Sequence, residues 1–208
     1  MSTKESKEEA HRKILIAVDG SLPSSHAVDY AAKAVQLVPN LHIVLFYVMP
    51  SIPPYLEEGS KTDGSKLLRL RKLKEINAAE GKKILEKARN QLIKAQFPPE
   101  RIEEKMLPRI TGLAKDIVNE AEHGLYDALV VGRRGLSGAQ EFFMGSVSSQ
   151  LVQYATNVPL WVIDRQVIEP KLMVAVDGSE ASLKAVDHVA FMFGNNPKAE
   201  VHFLHVVP

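Results

Sequence analysis

Residues 14 to 18, Ile-Leu-Ile-Ala-Val, are apolar without interruption and end at Asp19-Gly20-Ser21. So short a run, stopped by a turn, predicts a strand buried on both faces, as in a parallel sheet. After Pro23, Ser24 or Ser25 caps a predicted helix in which Val28, Ala31, Ala32, Val35 and Val38 recur at helical spacing until Pro39-Asn40. Residues 41 to 49 are a second apolar strand closed by Pro50, which completes a βαβ unit. Residues 51 to 65 are rich in Pro, Gly and Ser and predict a mobile loop, followed by a long helix from about 65 to 95 that Pro98-Pro99 ends. A third strand is expected at 101 to 107, a helix at 112 to 122, a fourth strand at 127 to 131, a helix from about 146 to 156 and a last strand at 159 to 163. Strand and helix alternate throughout, so the fold class is α/β with an open, doubly wound parallel sheet.

The pattern then starts again. Shifted by 158 residues, positions 171 to 208 align with 13 to 50 without a gap, and 14 of the 38 positions are identical. Lys-Ile-Leu-Ile-Ala-Val-Asp19-Gly-Ser returns as Lys-Leu-Met-Val-Ala-Val-Asp177-Gly-Ser, and Val48-Met49-Pro50 as Val206-Val207-Pro208. The second copy stops after two strands and one helix, too little apolar surface for independent stability. The organisation expected is a charged tail at 1 to 12, a complete domain at 13 to 165 and an incomplete second domain at 166 to 208. The chain then either packs its second copy on a partner surface or is a piece of a longer tandem protein, and the second expectation is preferred.

Composition narrows the function classes. Lys and Arg total 26 against 25 Asp and Glu, a formal charge of +1, so no global field draws the chain to nucleic acid or anionic lipid. The absence of cysteine removes disulfides, thiolate metal sites and cysteine nucleophiles, and fits a cytoplasmic protein. The charged opening lacks an apolar signal core, and no stretch approaches the roughly 18 apolar residues of a membrane span. Residues 61 to 94 hold eleven basic and four acidic side chains. Leu67, Leu70, Leu73, Ile76, Ile84, Leu85, Ala88 and Leu92 run as a core-facing stripe among them, so the charges read as the solvated side of an amphipathic helix, with Gly81 marking close packing or a bend. His202 and His205 fall on opposite faces of a strand, and the seven histidines form no metal set.

The informative segment is Gly132-Arg133-Arg134-Gly135 through Gly145-Ser146, between a buried strand and a helix, where parallel sheets bind ligands. Glycines there let backbone approach a ligand, and the N–H groups opening the helix near Ser146 attract phosphate. Arg133 and Arg134 are candidates to neutralise it. The spacing is neither a Walker loop nor Gly-x-Gly-x-x-Gly. It is Gly-x-x-Gly-x9-Gly-Ser, and together with Val-Asp-Gly-Ser after the first strand it resembles the universal stress protein family over residues 13 to 163, with 171 to 208 resembling the opening of a second such domain.

That resemblance implies a half-Rossmann-like sheet in the order 3-2-1-4-5, with ATP in the crevice between the first and fourth strands, as in family members that carry the glycine motif. It assigns Asp19 and Val48 to the adenosine part, Val131 and Gly132 to the ribose and phosphates, and Gly135, Gly145, Ser146 and Val147 to the phosphates. Any Mg2+ or Mn2+ would travel with the nucleotide, held by phosphate oxygens and Asp19. Asp177 matches Asp19, but the second copy lacks a phosphate loop. The family also dimerises through its last strand, so 159 to 163 is expected to pair in a homodimer or between domains of one chain. The function implied is an ATP-binding regulatory or stress-response module with an unidentified downstream partner. Two alternatives stand beside it: a slow ATPase or adenylating enzyme, and a nucleotide-independent dimerisation or adaptor module. A side chain at Gly132 or Gly145 is expected to weaken ATP binding without unfolding the sheet.

Overall fold

The first apolar run lies at the centre of a five-stranded parallel sheet. The computed structural model describes residues 11–34, 38, 40–133, 146–164 and 171–205. In chain order the elements are β1 (Arg12–Ala17), α1 (Leu22–Ala34), β2 (Leu41–Met49), α2 (Pro54–Gly59), α3 (Gly64–Lys94), β3 (Ile102–Pro108), α4 (Leu113–His123), β4 (Ala128–Gly132), α5 (Ser146–Tyr154), β5 (Leu160–Ile163), β6 (Lys171–Ala175), α6 (Glu180–Phe193) and β7 (Glu200–Leu204). The main sheet runs β3-β2-β1-β4-β5, and β6 and β7 form a separate parallel pair. This is the doubly wound order that the resemblance implies.

Strand alternation divides the core into two layers. Ile14, Ile16, Ile43, Leu45, Ala128 and Val130 face Ala27, Val28 and Ala31 of α1 and Leu85, Ala88 and Leu92 of α3. Leu15, Val44, Phe46, Val48, Leu129 and Val131 face Ala114, Ile117, Val118 and Ala121 of α4 and Leu151 of α5. The helices linking β1 to β2 and β2 to β3 therefore cover one face, and those linking β3 to β4 and β4 to β5 cover the other, as right-handed crossovers demand. Each large aliphatic or aromatic side chain buried in these layers contributes roughly 1.5–3 kcal/mol.

Several local expectations change. Residues 51 to 64 hold a short helix, α2, with Pro54 in its first turn and Leu56 buried, because proline suits the first helical position, where no N–H is needed. The buried stripe of α3 is Leu70, Asn77, Gly81, Leu85, Ala88 and Leu92, and Ile76 is 51% exposed. A rotation of about 100° per residue carries Ile76 off the stripe and Asn77 onto it. The helix stops before Pro98-Pro99: Gln96 takes a φ of 65°, its amide donates to Ile93 O at 3.0 Å, and that of Phe97 donates to Leu92 O at 3.0 Å. That is a Schellman motif closed by burial of Phe97. Gly81 marks close packing, since a Cβ there would lie 2.4 Å from Met106 Sδ and 2.8 Å from Tyr47 Cδ1.

Gly132 is required by packing. A Cβ on it would stand 2.4 Å from both the carbonyl carbon and the oxygen of Pro23, and 2.8 Å from the amide nitrogen of Ser24. The end of β4 thus touches the backbone of α1's first turn, which cannot swing away as a side chain can. The expectation that substitution of Gly132 leaves the sheet untouched is corrected accordingly.

The second copy repeats the turn and helix cap that follow the first strand. Gly20 and Gly178 have φ of 79° and 81°. Asp19 Oδ1 accepts from the Ser21 amide, and Asp177 Oδ1 from the Ser179 amide, both at 2.9 Å. Ser21 Oγ accepts from the Ser24 amide at 3.3 Å, and Ser179 Oγ from the Ser182 amide at 3.2 Å. Each Asp-Gly-Ser is thus an Asx turn running into a serine-capped helix.

Among the described residues the edge strand β5 pairs with β4 alone. Its cover is α6. Trp161 stacks on Phe193 with ring centroids 5.9 Å apart and meets Tyr30 edge-on at 5.9 Å, and its indole N–H donates to His188 Nε2 at 2.9 Å. Arg12 Nε donates to Phe191 O at 2.9 Å, while Met192 and Phe193 are buried in the first core layer. Met173, Leu183, Phe203 and Leu204 remain exposed.

Two outcomes follow from this packing. Gly132→Ala lowers stability by about 1–3 kcal/mol, read as a lower thermal midpoint for the full chain. Burial depresses the pKa of His188 below 6.5, against an opposing pull from Asp127. The folded state therefore disfavours the imidazolium, so the stabilisation that neutral His188 gives to the α6 contact is complete above that value and is lost as pH falls through the folded-state pKa. The sequence has one tryptophan, so emission from Trp161, scanned from about pH 8 to 5, changes in the lower half of the range in the wild type and stays flat in His188→Leu.

Candidate functional site

β1 and β4 are parallel neighbours, and the next helices along the chain, α1 and α5, cover opposite faces of the sheet, so a crevice opens beyond the strands' carboxyl ends. A cavity of about 380 Å³ occupies it, within the range of small-molecule sites. Phe46, Val48, Leu113, Ile117, Val131 and Leu151 supply apolar walls, and Asp19, Ser24, Glu80, Arg109, Ser146 and Ser148 supply polar groups.

Each wall has a local cause. The Asx turn after β1 fixes the Asp19 carboxylate by its bond to the Ser21 amide. Ser148 Oγ donates to Gly132 O at 3.0 Å, which ties the first turn of α5 to the end of β4 and presents the helix N-terminus to the cavity. Helix α3 spans 31 residues, and Glu80 and Ile84 reach the cavity from it beside the Gly81–Tyr47 contact. Burial, with the Glu80 and Asp19 carboxylates nearby, pushes the Tyr47 phenol up, while the Arg109 guanidinium opposes the shift.

Of the residues assigned from the sequence, Asp19, Val48, Val131, Gly132, Ser146 and Val147 all line this cavity. Arg133 does not: its amide donates to Ile163 O, and its guanidinium forms an ion pair with Asp164 at 2.7 Å. Gly135 and Gly145, with Arg134, lie outside the described residues. Asp177, the counterpart of Asp19, is exposed on the two-stranded sheet, and its bonds to Ser179 and Ser182 pull its carboxyl down to about 2. Among the described residues no group of three or more His, Asp or Glu is placed to hold a metal ion.

Glu80, Tyr47 and Arg109 belong to the site without a sequence signal that marked them. Arg109 follows β3 on a loop gathered by Asp116, which accepts from the amides of Ile110, Thr111 and Gly112 and from the Thr111 hydroxyl at 2.6–3.2 Å. Burial works to raise the pKa of Asp116, but these bonds outweigh it and the net direction is downward. Arg109 Nε is buried and has no hydrogen-bond partner, a state that costs about 1–3 kcal/mol when nothing satisfies the donor.

The universal stress protein family model matches residues 10–164 and again 170–208. The universal stress protein YxiE of Bacillus subtilis (strain 168) is 31% identical over 156 residues, covering 69% of this chain and 93% of that protein. The universal stress protein MT2052 of Mycobacterium tuberculosis (strain CDC 1551 / Oshkosh) is 26% identical over 218 aligned positions, covering 89% of this chain, which spans 63% of that longer protein. Among solved structures, a universal stress protein from Archaeoglobus fulgidus DSM 4304 superposes with a TM-score of 0.71 at 17% identity, over 94% of this chain and 67% of that one. The hypothetical protein MJ0577 does so with a TM-score of 0.57 at 21% identity, over 76% of this chain and 99% of that one. At such identities the structural likeness is one of fold, while the family match spans nearly the whole sequence: this chain belongs to the universal stress protein family.

Proposed function

We propose that this chain is an ATP-binding regulatory module whose nucleotide occupies the cavity beyond β1 and β4. The observation that carries the reading is convergence: six residues named from the glycine spacing and the family pattern line one ligand-sized hollow. Its apolar walls suit a planar base, and the first turn of α5 offers N–H groups and a favourable dipole to phosphates. A divalent cation that came with the nucleotide would be held by the phosphate oxygens. Occupancy acts as a signal when a partner distinguishes the bound state from the free one. A second copy of the chain, meeting the edge strand at 160–163, is the partner proposed for assembly.

Isothermal calorimetry on the full chain is expected to show one ATP site, and a parallel phosphate-release assay to show negligible turnover. Asp19→Asn keeps an oxygen to accept from the Ser21 amide but removes the charge, so the turn survives and ATP affinity falls by roughly tenfold. A wild-type chain that ignores adenine nucleotides would falsify the reading in favour of an adaptor, and steady turnover abolished in Asp19→Asn would replace it with an enzyme.

A further inference from the structure

Arg109 stands just past the end of β3, and its backbone is held from two directions. Its amide donates to Met49 O at 3.0 Å, extending the β2–β3 ladder, and Asp116 gathers the next three residues. From this fixed backbone the side chain enters the cavity wall. Its Nε is buried without an acceptor, and among the described residues the guanidinium forms no ion pair with Asp19 or Glu80, although both line the same hollow. A guanidinium that lines a ligand-sized space and pairs with neither carboxylate beside it is free to take a partner from outside the chain.

Its position in the sheet says which part of a ligand it meets. In the order β3-β2-β1-β4, Arg109 and Gly132 close strands three steps apart, roughly 14 Å at the usual strand spacing. Phosphates at Gly132 and the first turn of α5 place the opposite end of a nucleotide toward β2 and β3. We propose that Arg109 reads the heterocyclic base: its guanidinium donates to a ring nitrogen of a purine, beside the Asp19 and Glu80 carboxylates that accept from an exocyclic amine, and it does not touch phosphate. This rests on the nucleotide reading above and assigns to the site a residue outside the glycine pattern. The planar fork suits a flat ring edge and gives the site a base preference that backbone contacts to phosphate cannot give.

The test is calorimetric titration of the wild type, Arg109→Met and Arg109→Lys with ATP, ADP, AMP and analogues of ATP that each lack one ring nitrogen. Arg109→Met is expected to lose about ten- to a hundredfold in affinity, by the same factor within about twofold for ATP, ADP and AMP. One ring-nitrogen deletion should weaken the wild type and leave Arg109→Met no weaker than it is with ATP. Arg109→Lys keeps the charge without the fork and is expected to show the same pattern, so the proposal stays testable if the methionine variant fails to fold. A loss that grows from AMP to ATP makes Arg109 a phosphate cation and overturns the proposal. Unchanged affinity overturns it too, leaving a hydrated side chain. Both results leave the nucleotide reading intact, whereas a wild type that binds none of the three nucleotides removes that reading itself.

Discussion

The site exists because two parallel strands at the centre of the sheet send their chains to opposite faces. After β1 the chain turns into α1 over one layer of the core, and β4 leads to α5 over the other. Among the described residues no connection crosses the space beyond their carboxyl ends, where a crevice of this kind forms. What the sequence chooses is how the crevice is finished: an Asx turn that fixes a carboxylate at one lip, a serine that ties the helix N-terminus to the other, and apolar residues from β2, α4 and α5 between them.

How legible this was depended on the range of the interaction. The strands and most helices follow from runs and periods within a single segment, and Asp19, Val131 and Ser146 follow from a motif that lies next to those elements. Arg109, Glu80 and Tyr47 come from elements distant in sequence, and only the sheet order brings them to the same cavity. Ile76 and Asn77 differ by one position on a long helix, where a small error in phase exchanges inside for outside. Helix α2 was hidden because six residues with a proline and a glycine resemble a loop in composition. The true end of α3 has no strong sequence signal, because a glutamine in the left-handed conformation closes it two residues before the prolines.

The repeat separates what local sequence dictates from what tertiary structure adds. Both Asp-Gly-Ser turns adopt one geometry, although Asp19 lies in a cavity wall and Asp177 in an exposed stub. The turn is therefore a property of the few residues that form it. The cavity is not, because β6 and β7 stand without a fourth strand or its following helix among the described residues. The helix of the second copy has instead taken another task, laying Phe193 and His188 against Trp161 on the open side of the main sheet. A strand that its relatives are expected to pair is here covered on its face by a helix, which protects its apolar side chains but leaves its outer edge to be accounted for separately.

The first glycine of the motif shows why a pattern and its purpose must be distinguished. Gly132 is one of the three positions on which the resemblance rests, and the natural reading is that it clears a path for phosphate. The geometry gives it a different duty, since the direction a side chain would take is filled by the backbone of Pro23 and Ser24. Its substitution would disturb the helix that follows Asp19 before any ligand arrived, so lost nucleotide affinity in such a variant would mix unfolding with lost contact. Groups whose change leaves the packing alone separate the two better: the Asp19 carboxylate, whose bond from the Ser21 amide an asparagine oxygen can also accept, and the Arg109 guanidinium, which among the described residues forms no ion pair with Asp19 or Glu80. Both project from backbone that other bonds hold in place, so their chemistry can be altered while the frame that presents it persists.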